Sequence, residues 1–306
     1  MEPSRSRARR RRRPPLYTAL ALVIVVGGAA AGTVYVKARA HSGGSPVSSA
    51  SVSAQAGEEA PVEPVAQPTV DHDAALAEAM ASVTVEDGAD VSVAVLDPKS
   101  GESATYGSGS FDTASIVKVD ILAALLLQAQ DAGRSLTAAE KSYATAMIEN
   151  SDNTAASALW QAIGLEKGLD AANGRFGLTE TEGGAGMYWG LTRTTAADQL
   201  TLLRQVFGED SELSEASRAY LRGLMGEIAV DQRWGVSAVA DGSAWALKNG
   251  WLPRTATGLW DINSIGRVTV DGEAYLVAVL SDGNSTKAKG ISLVEAAAGA
   301  AVSVFG

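Results

Sequence analysis

Ser115 and Lys118, three residues apart, have the types and spacing of an activated nucleophile. They open a strongly apolar stretch at residues 121–127 that is typical of a buried helix. Residues three apart share a helix face, and burial lowers a lysine pKa towards the range where the amine accepts a proton. A helix N-terminus also gathers backbone N–H groups that favour developing negative charge. The pair therefore indicates serine catalysis with a lysine base, although a surface lysine after a helix cap has the same spacing.

A second polar group, Ser151-Asp152-Asn153, lies at a break between two helical patterns. Asn, Ser and Asp are favoured at helix caps, so the tripeptide is expected to cap the helix that follows. The same turn can also aim Ser151 and Asn153 into a cleft. Capping and a functional role are compatible here.

A third group, Lys248-Asn249-Gly250, lies at the end of a predicted strand, Trp245 to Lys248, and leads into Trp251. A glycine at this place allows a ligand to approach closely, and an unpaired strand edge binds an extended substrate through backbone hydrogen bonds. Taken alone, the tripeptide is equally a turn after a strand.

The elements that must position these groups are strands at both ends of the chain and helices between them. Alternating Val91, Val93 and Val95 predict a strand, with a hairpin partner at residues 103–106. Late strands are expected at 244–248, 259–270 and 274–281, the last two joined by Asp271-Gly272. Helices are expected near 71–80, 115–130, 153–163, 167–176, 195–207 and 291–304, and another is opened by the capping-box signature at 137–140. The pattern predicts an α+β fold, an antiparallel sheet flanked by N- and C-terminal helices with an inserted all-α lobe.

Composition excludes several kinds of chemistry. The 306 residues contain no cysteine and two histidines, His41 and His72, so thiol chemistry is absent and a Ser-His-Asp triad or zinc site is disfavoured. Seven of the 25 basic residues lie between Arg5 and Arg13, which leaves the rest of the chain distinctly acidic. This balance argues against nucleic acid as a partner. No metal or organic cofactor is implied.

The N-terminus predicts a membrane anchor. Residues 1–15 are arginine-rich, residues 16–36 are uncharged and long enough to span a bilayer, and residues 37–70 are a Ser/Ala/Pro-rich linker. The positive-inside rule places residues 71–306 outside the cytoplasm, attached to the cell membrane by a single pass. The alternative is a signal peptide cleaved near Ala40 and a secreted domain.

Together and in this order, the three motifs resemble the signature of class A β-lactamases and penicillin-binding proteins: Ser-x-x-Lys, Ser-Asp-Asn and Lys-Thr-Gly. The resemblance covers about residues 71–306 and implies that family's sheet and helical lobe. It also implies an acyl-enzyme formed with a β-lactam or a peptidoglycan stem peptide. Ser115 would attack the carbonyl, Lys118 would help remove its proton, and Ser151 would relay a proton to the departing nitrogen.

The resemblance also assigns substrate-binding residues. Asn153 would hold the side-chain amide of the substrate, and Lys248 would attract its carboxylate, with Asn249 and Gly250 completing the segment. The backbone amides of Ser115 and Trp251 would form the oxyanion hole. Which arginine, Arg254 or Arg267, assists the carboxylate is left open.

Two departures from the family pattern bear on activity. Asn249 stands where a hydroxyl residue is usual. The stretch 180–193 lacks the Glu-x-x-Leu-Asn pattern that carries the deacylating glutamate, and Glu180 and Glu182 are better read as solvated loop carboxylates. The expectation is ready acylation and slow deacylation. Alternatives are a D-Ala-D-Ala peptidase-like cell-wall enzyme, or a sensor module that binds penicillin or peptidoglycan without turnover.

Overall fold

The computed structural model describes residues 70–305, and its framework is a five-stranded antiparallel sheet in the order β2-β1-β7-β6-β5. β5 is therefore an edge strand. A second, two-stranded pairing joins β3 to β4. The strands are β1 (Asp90–Leu96), β2 (Ser103–Tyr106), β3 (Phe111–Asp112), β4 (Arg193–Thr194), β5 (Trp245–Pro253), β6 (Trp260–Val270) and β7 (Glu273–Asn284).

Helices cover both faces of the sheet. They are α1 (His72–Met80), α2 (Val117–Asp131), α3 (Ala138–Glu149), α4 (Asn153–Ile163), α5 (Leu165–Phe176), α6 (Ala196–Phe207), α7 (Glu215–Gly226) and α8 (Lys287–Ser303). One core contains Leu76 of α1, Val277 of β7 and Val294 of α8. The other packs the helical lobe against Ile265 and Ala278 on the opposite face. The α+β prediction, with terminal helices and an inserted helical lobe, is confirmed.

α2 is the centre of the helical lobe. Twelve of its 15 residues are buried, because the helix is apolar on all faces. Two of the twelve, Lys118 and Asp120, are charged residues. A buried charge requires a partner or a shifted pKa, so both residues are candidates for function or for local strain.

Local signals in the sequence fix several element boundaries. Thr137 and Glu140 form the expected capping box at the start of α3, and the Asp152 carboxylate caps α4 by accepting from Ala155 N at 2.6 Å. Asp271 and Gly272 both have positive φ, at 51° and 82°, as a tight hairpin between β6 and β7 requires.

Three sequence expectations need correction. β5 continues beyond its expected end at Lys248 to Pro253, so Asn249 and Gly250 lie inside a strand and not in a turn after one. Its nine residues pair with β6 from Trp245 to Pro253, which holds the Asn-Gly pair extended. α7 was not predicted, although Ser214 caps it and Leu221, Leu224 and Met225 form its buried face. α8 begins at Lys287, four residues earlier than expected, where Thr286 caps it.

The predicted cytoplasmic segment, the anchor and all of the linker except Val70 fall outside the described residues. Within 70–305, no helix combines the length and apolar character needed to cross a membrane.

Candidate active site

Ser115 lies in a tight 3₁₀ turn, Ala114–Ile116, immediately before α2. Ala114 has a φ of 48°, a conformation that costs energy for a residue with a side chain. The turn is held from β6, because Asn263 Nδ2 donates to Asp112 O at 2.9 Å and to Thr113 O at 3.1 Å. Sequence reasoning missed Asn263, although a buried amide inside an apolar strand signals a specific hydrogen-bonding role.

The Lys118 amine is surrounded by Ser115 and Ser151, which were predicted as catalytic, and by Asn153, which was predicted to bind substrate. Its Nζ lies 3.0 Å from Ser115 Oγ, 2.7 Å from Ser151 O, 2.9 Å from Ser151 Oγ and 2.9 Å from Asn153 Oδ1. The side chain is fully buried. Burial lowers the pKa of Lys118 to about 7, a shift that the more distant charge of Asp152 only partly opposes. An amine with this pKa is available as a base at neutral pH.

Ser151 lies between two lysines. Its φ of 56° places it in the left-handed region, just before the Asp152 cap, and this turn aims its side chain at Lys118. Lys248 Nζ, reaching over from β5, donates to Ser151 Oγ at 3.2 Å and to Asn249 O at 3.1 Å. Burial, followed by the charge of Lys118, holds the pKa of Lys248 well below its usual range. A hydroxyl between two amines can pass a proton from one side to the other.

Gly250 lies against the backbone of the turn that carries Ser115. A Cβ at this position would lie 2.7 Å from Thr113 O and 2.9 Å from Ser115 N, closer than real side chains approach. The absence of a side chain therefore allows β5 to pack against the turn that carries Ser115, with the Ser115 amide at the strand.

Asn249 has a different position from the one its predicted substrate-binding role requires. Its side chain is buried on the opposite face of β5 from Lys248, where Nδ2 donates to Gln232 O at 2.7 Å and to Trp234 O at 2.9 Å. A side-chain contact with substrate is not what this geometry provides. Successive strand residues point to opposite faces, so Asn249 points away from the face that carries Lys248. Its two hydrogen bonds instead attach β5 to the segment 232–234.

Trp251, the next residue on that face, packs against an unpredicted cation. Lys287 Nζ, at the start of α8, lies 4.2 Å from the Trp251 ring centroid and 6.0 Å from the Trp234 ring. Neither of the two arginines that the sequence offered for the substrate carboxylate contacts the Trp251 ring. Arg254 forms ion pairs with Asp112 and Asp261, at 2.5 and 3.4 Å, and Arg267 lines a separate cavity beside Leu96 and Phe207.

The loop between α5 and β4 presents an aromatic ring to Lys118. The Trp189 ring centroid is 4.9 Å from Lys118 Nζ, and Trp189 Nε1 donates to Ser157 Oγ at 3.1 Å. Glu180 and Glu182 are exposed, and Glu182 pairs with Arg193 only through its backbone. Among the residues that the structure describes, no carboxylate forms a hydrogen bond or an ion pair with Lys118.

The fold is that of serine β-lactamases and related penicillin-binding proteins. The TLA-3 extended-spectrum β-lactamase superposes with a TM-score of 0.65 at 16% identity, covering 75% of this chain and 96% of that one. A β-lactamase from Xanthomonas campestris pv. campestris gives 0.61 at 21%, covering 77% and 97%. PBP-A gives 0.65 at 20%, covering 76% and 96%.

The sequence profile of the β-lactamase enzyme family matches residues 139–305, more than half of the chain. The chain belongs to that family of serine hydrolases. The match includes Ser151, Asn153 and Lys248, whereas Ser115 and Lys118 precede it. No curated protein matches the sequence.

Proposed function

We propose that this protein forms an acyl-enzyme through Ser115 with β-lactams or with the D-alanyl peptides that they resemble. The observation that carries the proposal is the fully buried Lys118 amine, 3.0 Å from Ser115 Oγ and with its pKa lowered to about 7. A serine hydroxyl is a weak nucleophile until an adjacent base takes its proton.

The neutral amine fits the site around it. Its two N–H groups can donate to Ser151 O and Asn153 Oδ1, at 2.7 and 2.9 Å, which leaves the lone pair for the Ser115 proton. Ser115 Oγ then bonds to the substrate carbonyl carbon as its proton passes to Lys118. When the carbon–nitrogen bond breaks, the departing nitrogen takes a proton from Ser151 Oγ, which recovers one from a neighbouring lysine.

Substrate recognition is assigned to β5 and its surroundings. The edge strand offers backbone groups to an extended substrate, and the Ser115 amide beside Gly250 can donate to the developing oxyanion. The amine of Lys248, 3.2 Å from Ser151 Oγ, supplies positive charge for a substrate carboxylate, and that carboxylate would favour its charged form.

Deacylation is proposed to be slow, since an aromatic ring and no carboxylate contacts Lys118 from the loop before β4. A PBP-A variant has been solved as an acyl-enzyme complex with penicillin G, which shows that a protein of this fold holds such an adduct. Cell-wall peptides lie outside the cytoplasm, so the proposal includes an extracytoplasmic site, with residues 16–36 as anchor or signal. A cell-wall peptidase is the second candidate, because the same groups would act on a D-alanyl peptide.

The test is intact-protein mass spectrometry of the full chain mixed with benzylpenicillin, with drug consumption followed in parallel. Ser115→Ala should abolish the adduct and reduce any drug turnover by roughly 10⁴-fold or more. Ser135→Ala, which changes an exposed serine, is the control and should behave as the wild type.

A persistent Ser115-dependent adduct supports slow deacylation. Drug consumption without an adduct, again dependent on Ser115, would establish an efficient β-lactamase and refute the slow step. An adduct or turnover that survives Ser115→Ala would overturn the nucleophile assignment.

A further inference from the structure

The Trp189 ring closes one side of the catalytic amine. Lys118 Nζ contacts Ser115, Ser151 and Asn153 through hydrogen bonds, and the Trp189 ring covers it at 4.9 Å. The Lys118 side chain has no exposed surface. A water molecule therefore reaches this amine only if one of these groups moves.

The ring is held in place by the loop that carries it. Trp189 Nε1 donates to Ser157 Oγ of α4 at 3.1 Å. The loop is fastened by Trp160 Nε1, which donates to Gly186 O at 2.6 Å, and by Gly184 N, which donates to Thr192 Oγ1 at 3.1 Å. A Cβ on Gly184 would lie 2.1 Å from Tyr188 O, so the loop crosses itself at a point where only glycine fits. The orientation of the indole is thus fixed both by the hydrogen bond to Ser157 and by the loop that carries Trp189.

This position matters for the second half of the reaction. To release the acyl group, a water oxygen must bond to the ester carbonyl carbon while its proton passes to a base. The bond from that carbon to Ser115 Oγ then breaks, Oγ regains a proton, and the acid departs. Among the described residues, Lys118 is the only basic group in contact with Ser115 Oγ. Water that uses this base must lie against the amine.

We propose that Trp189 is a positioning residue that shields the Lys118 amine from water and so prolongs the life of the acyl group on Ser115. The inference rests on the proposed acylation of Ser115, but it does not depend on which substrate delivers the acyl group. Slow deacylation then has two causes: the Trp189 ring that covers the amine, and the lack of a carboxylate from the same loop in contact with Lys118.

The test uses p-nitrophenyl acetate, a small ester that needs no β-lactam recognition. With the full chain, the burst of nitrophenolate reports acetylation of Ser115 and the slow phase that follows reports deacetylation. Trp189→Ala should accelerate the slow phase about tenfold or more, the rate equivalent of ~1.4 kcal/mol, and leave the burst within about threefold of wild type. Trp189→Phe keeps an aromatic cover but loses the Nε1 donor to Ser157, so it should accelerate the slow phase less than Trp189→Ala.

The variants also carry a readout that mere loss of structure would not produce. Once the amine is open to water, the slow phase in Trp189→Ala should rise with pH through the titration of Lys118, whereas in the wild type it should stay low. Ser157→Ala, which removes the anchor of the ring, should give a smaller acceleration. Tyr188→Ala is the matched control, since this neighbouring side chain is 70% exposed and should leave both phases unchanged.

An unchanged slow phase in Trp189→Ala, with its melting temperature retained, would overturn the inference. If Trp189→Ala does not fold, Ser157→Ala replaces it as the test. A slow phase that is not accelerated in Ser157→Ala would also overturn the inference. A burst without any penicillin adduct would overturn the proposed substrate class, and the slow phases of the Trp189 variants would still decide the role of Trp189. Absence of a Ser115-dependent burst would overturn both.

Discussion

At the scale of single residues, the site has a neutral amine available as a base because burial disfavours the charged form of two lysines. Lys118 and Lys248 are both fully buried and both lie within hydrogen-bonding distance of Ser151 Oγ. Burial and mutual repulsion disfavour two positive charges so close together, so one amine is free to act as a base.

Acylation should therefore depend on pH. Since the pKa of Lys118 is lowered to about 7, the rate of adduct formation should rise as pH increases through about 7 and level off above it. Intact-protein mass spectrometry of samples quenched at successive times, between about pH 5 and pH 9, measures this profile. Lys118→Arg should react slower by about 10²-fold or more, because guanidinium stays protonated across this range. A pH-independent rate in the wild type would contradict the role of Lys118.

Asp120, also on α2, should make stability depend on pH. Burial raises its pKa from 3.8 to about 8, and the like charges of Asp170 and Asp198 add to the rise, although a hydrogen bond from Asn173 opposes it. A raised pKa favours the folded state at low pH, and this contribution is lost as pH rises from about 4 through about 8. Asp120→Asn should remove that loss.

The measurement is the melting temperature of wild type and Asp120→Asn across this pH range. The variant should match the wild type near pH 4 and melt on the order of 5 °C higher above pH 8. Asp210→Asn, at an exposed position, serves as the control. A gain that is equal at both pH values would show that Asp120 is not the titrating group.

At the scale of elements, β5 is the strand that assembles the site. Lys248 reaches Ser151 from one face, Asn249 anchors the other face to Gln232 and Trp234, and Gly250 fits against the Ser115 turn. Pairing with β6 along nine residues fixes this register.

Gly250→Ala should misplace the nucleophile. The added Cβ would meet backbone atoms at 2.7 and 2.9 Å, and backbone cannot move aside as a flexible side chain does. A misplacement of about 1 Å typically lowers the rate of a positioned reaction on the order of 10²-fold. The rate of penicillin adduct formation measures the effect. Gly223→Ala, where a Cβ meets open space, is the control, and equal rates in the two variants would contradict this account of β5.

What the sequence predicts well is local. The apolar surface of α2, the capping box of α3 and the Asp271-Gly272 hairpin each depend on residues a few positions apart, and each is confirmed. The end of β5 was wrong because Asn-Gly favours a turn locally, while pairing with β6 holds it extended. α7 had a readable signal in its Ser214 cap and was overlooked.

The contacts that complete the site are tertiary and carry no local signal. Trp189 and Lys118 are 71 residues apart, and no periodicity reports that their side chains meet. The same is true of Lys287 beside Trp251 and of the Asn263 amide that holds the nucleophile's turn. The order of the motifs predicted that Ser115, Lys118 and Ser151 come together. It did not predict the residues that contact and position them, such as Trp189 and Asn263.

At the scale of the whole molecule, the site lies between two separately packed parts. Ser115 and Lys118 come from the start of α2, Ser151 from the turn before α4, and Lys248 from the edge of the sheet. Hydrophobic cores on opposite faces of the sheet hold these parts together. The catalytic geometry therefore requires both the helical lobe and the sheet, and no single element contains it.

The most direct test of the central claim is peptide mapping of the full chain after brief exposure to benzylpenicillin. Opening of the β-lactam ring loses no atoms, so the account predicts one modified peptide, heavier by the whole mass of the drug, with the label on Ser115. A label on any other residue, or drug consumption that persists in Ser115→Ala, would contradict the assignment of Ser115 as the nucleophile.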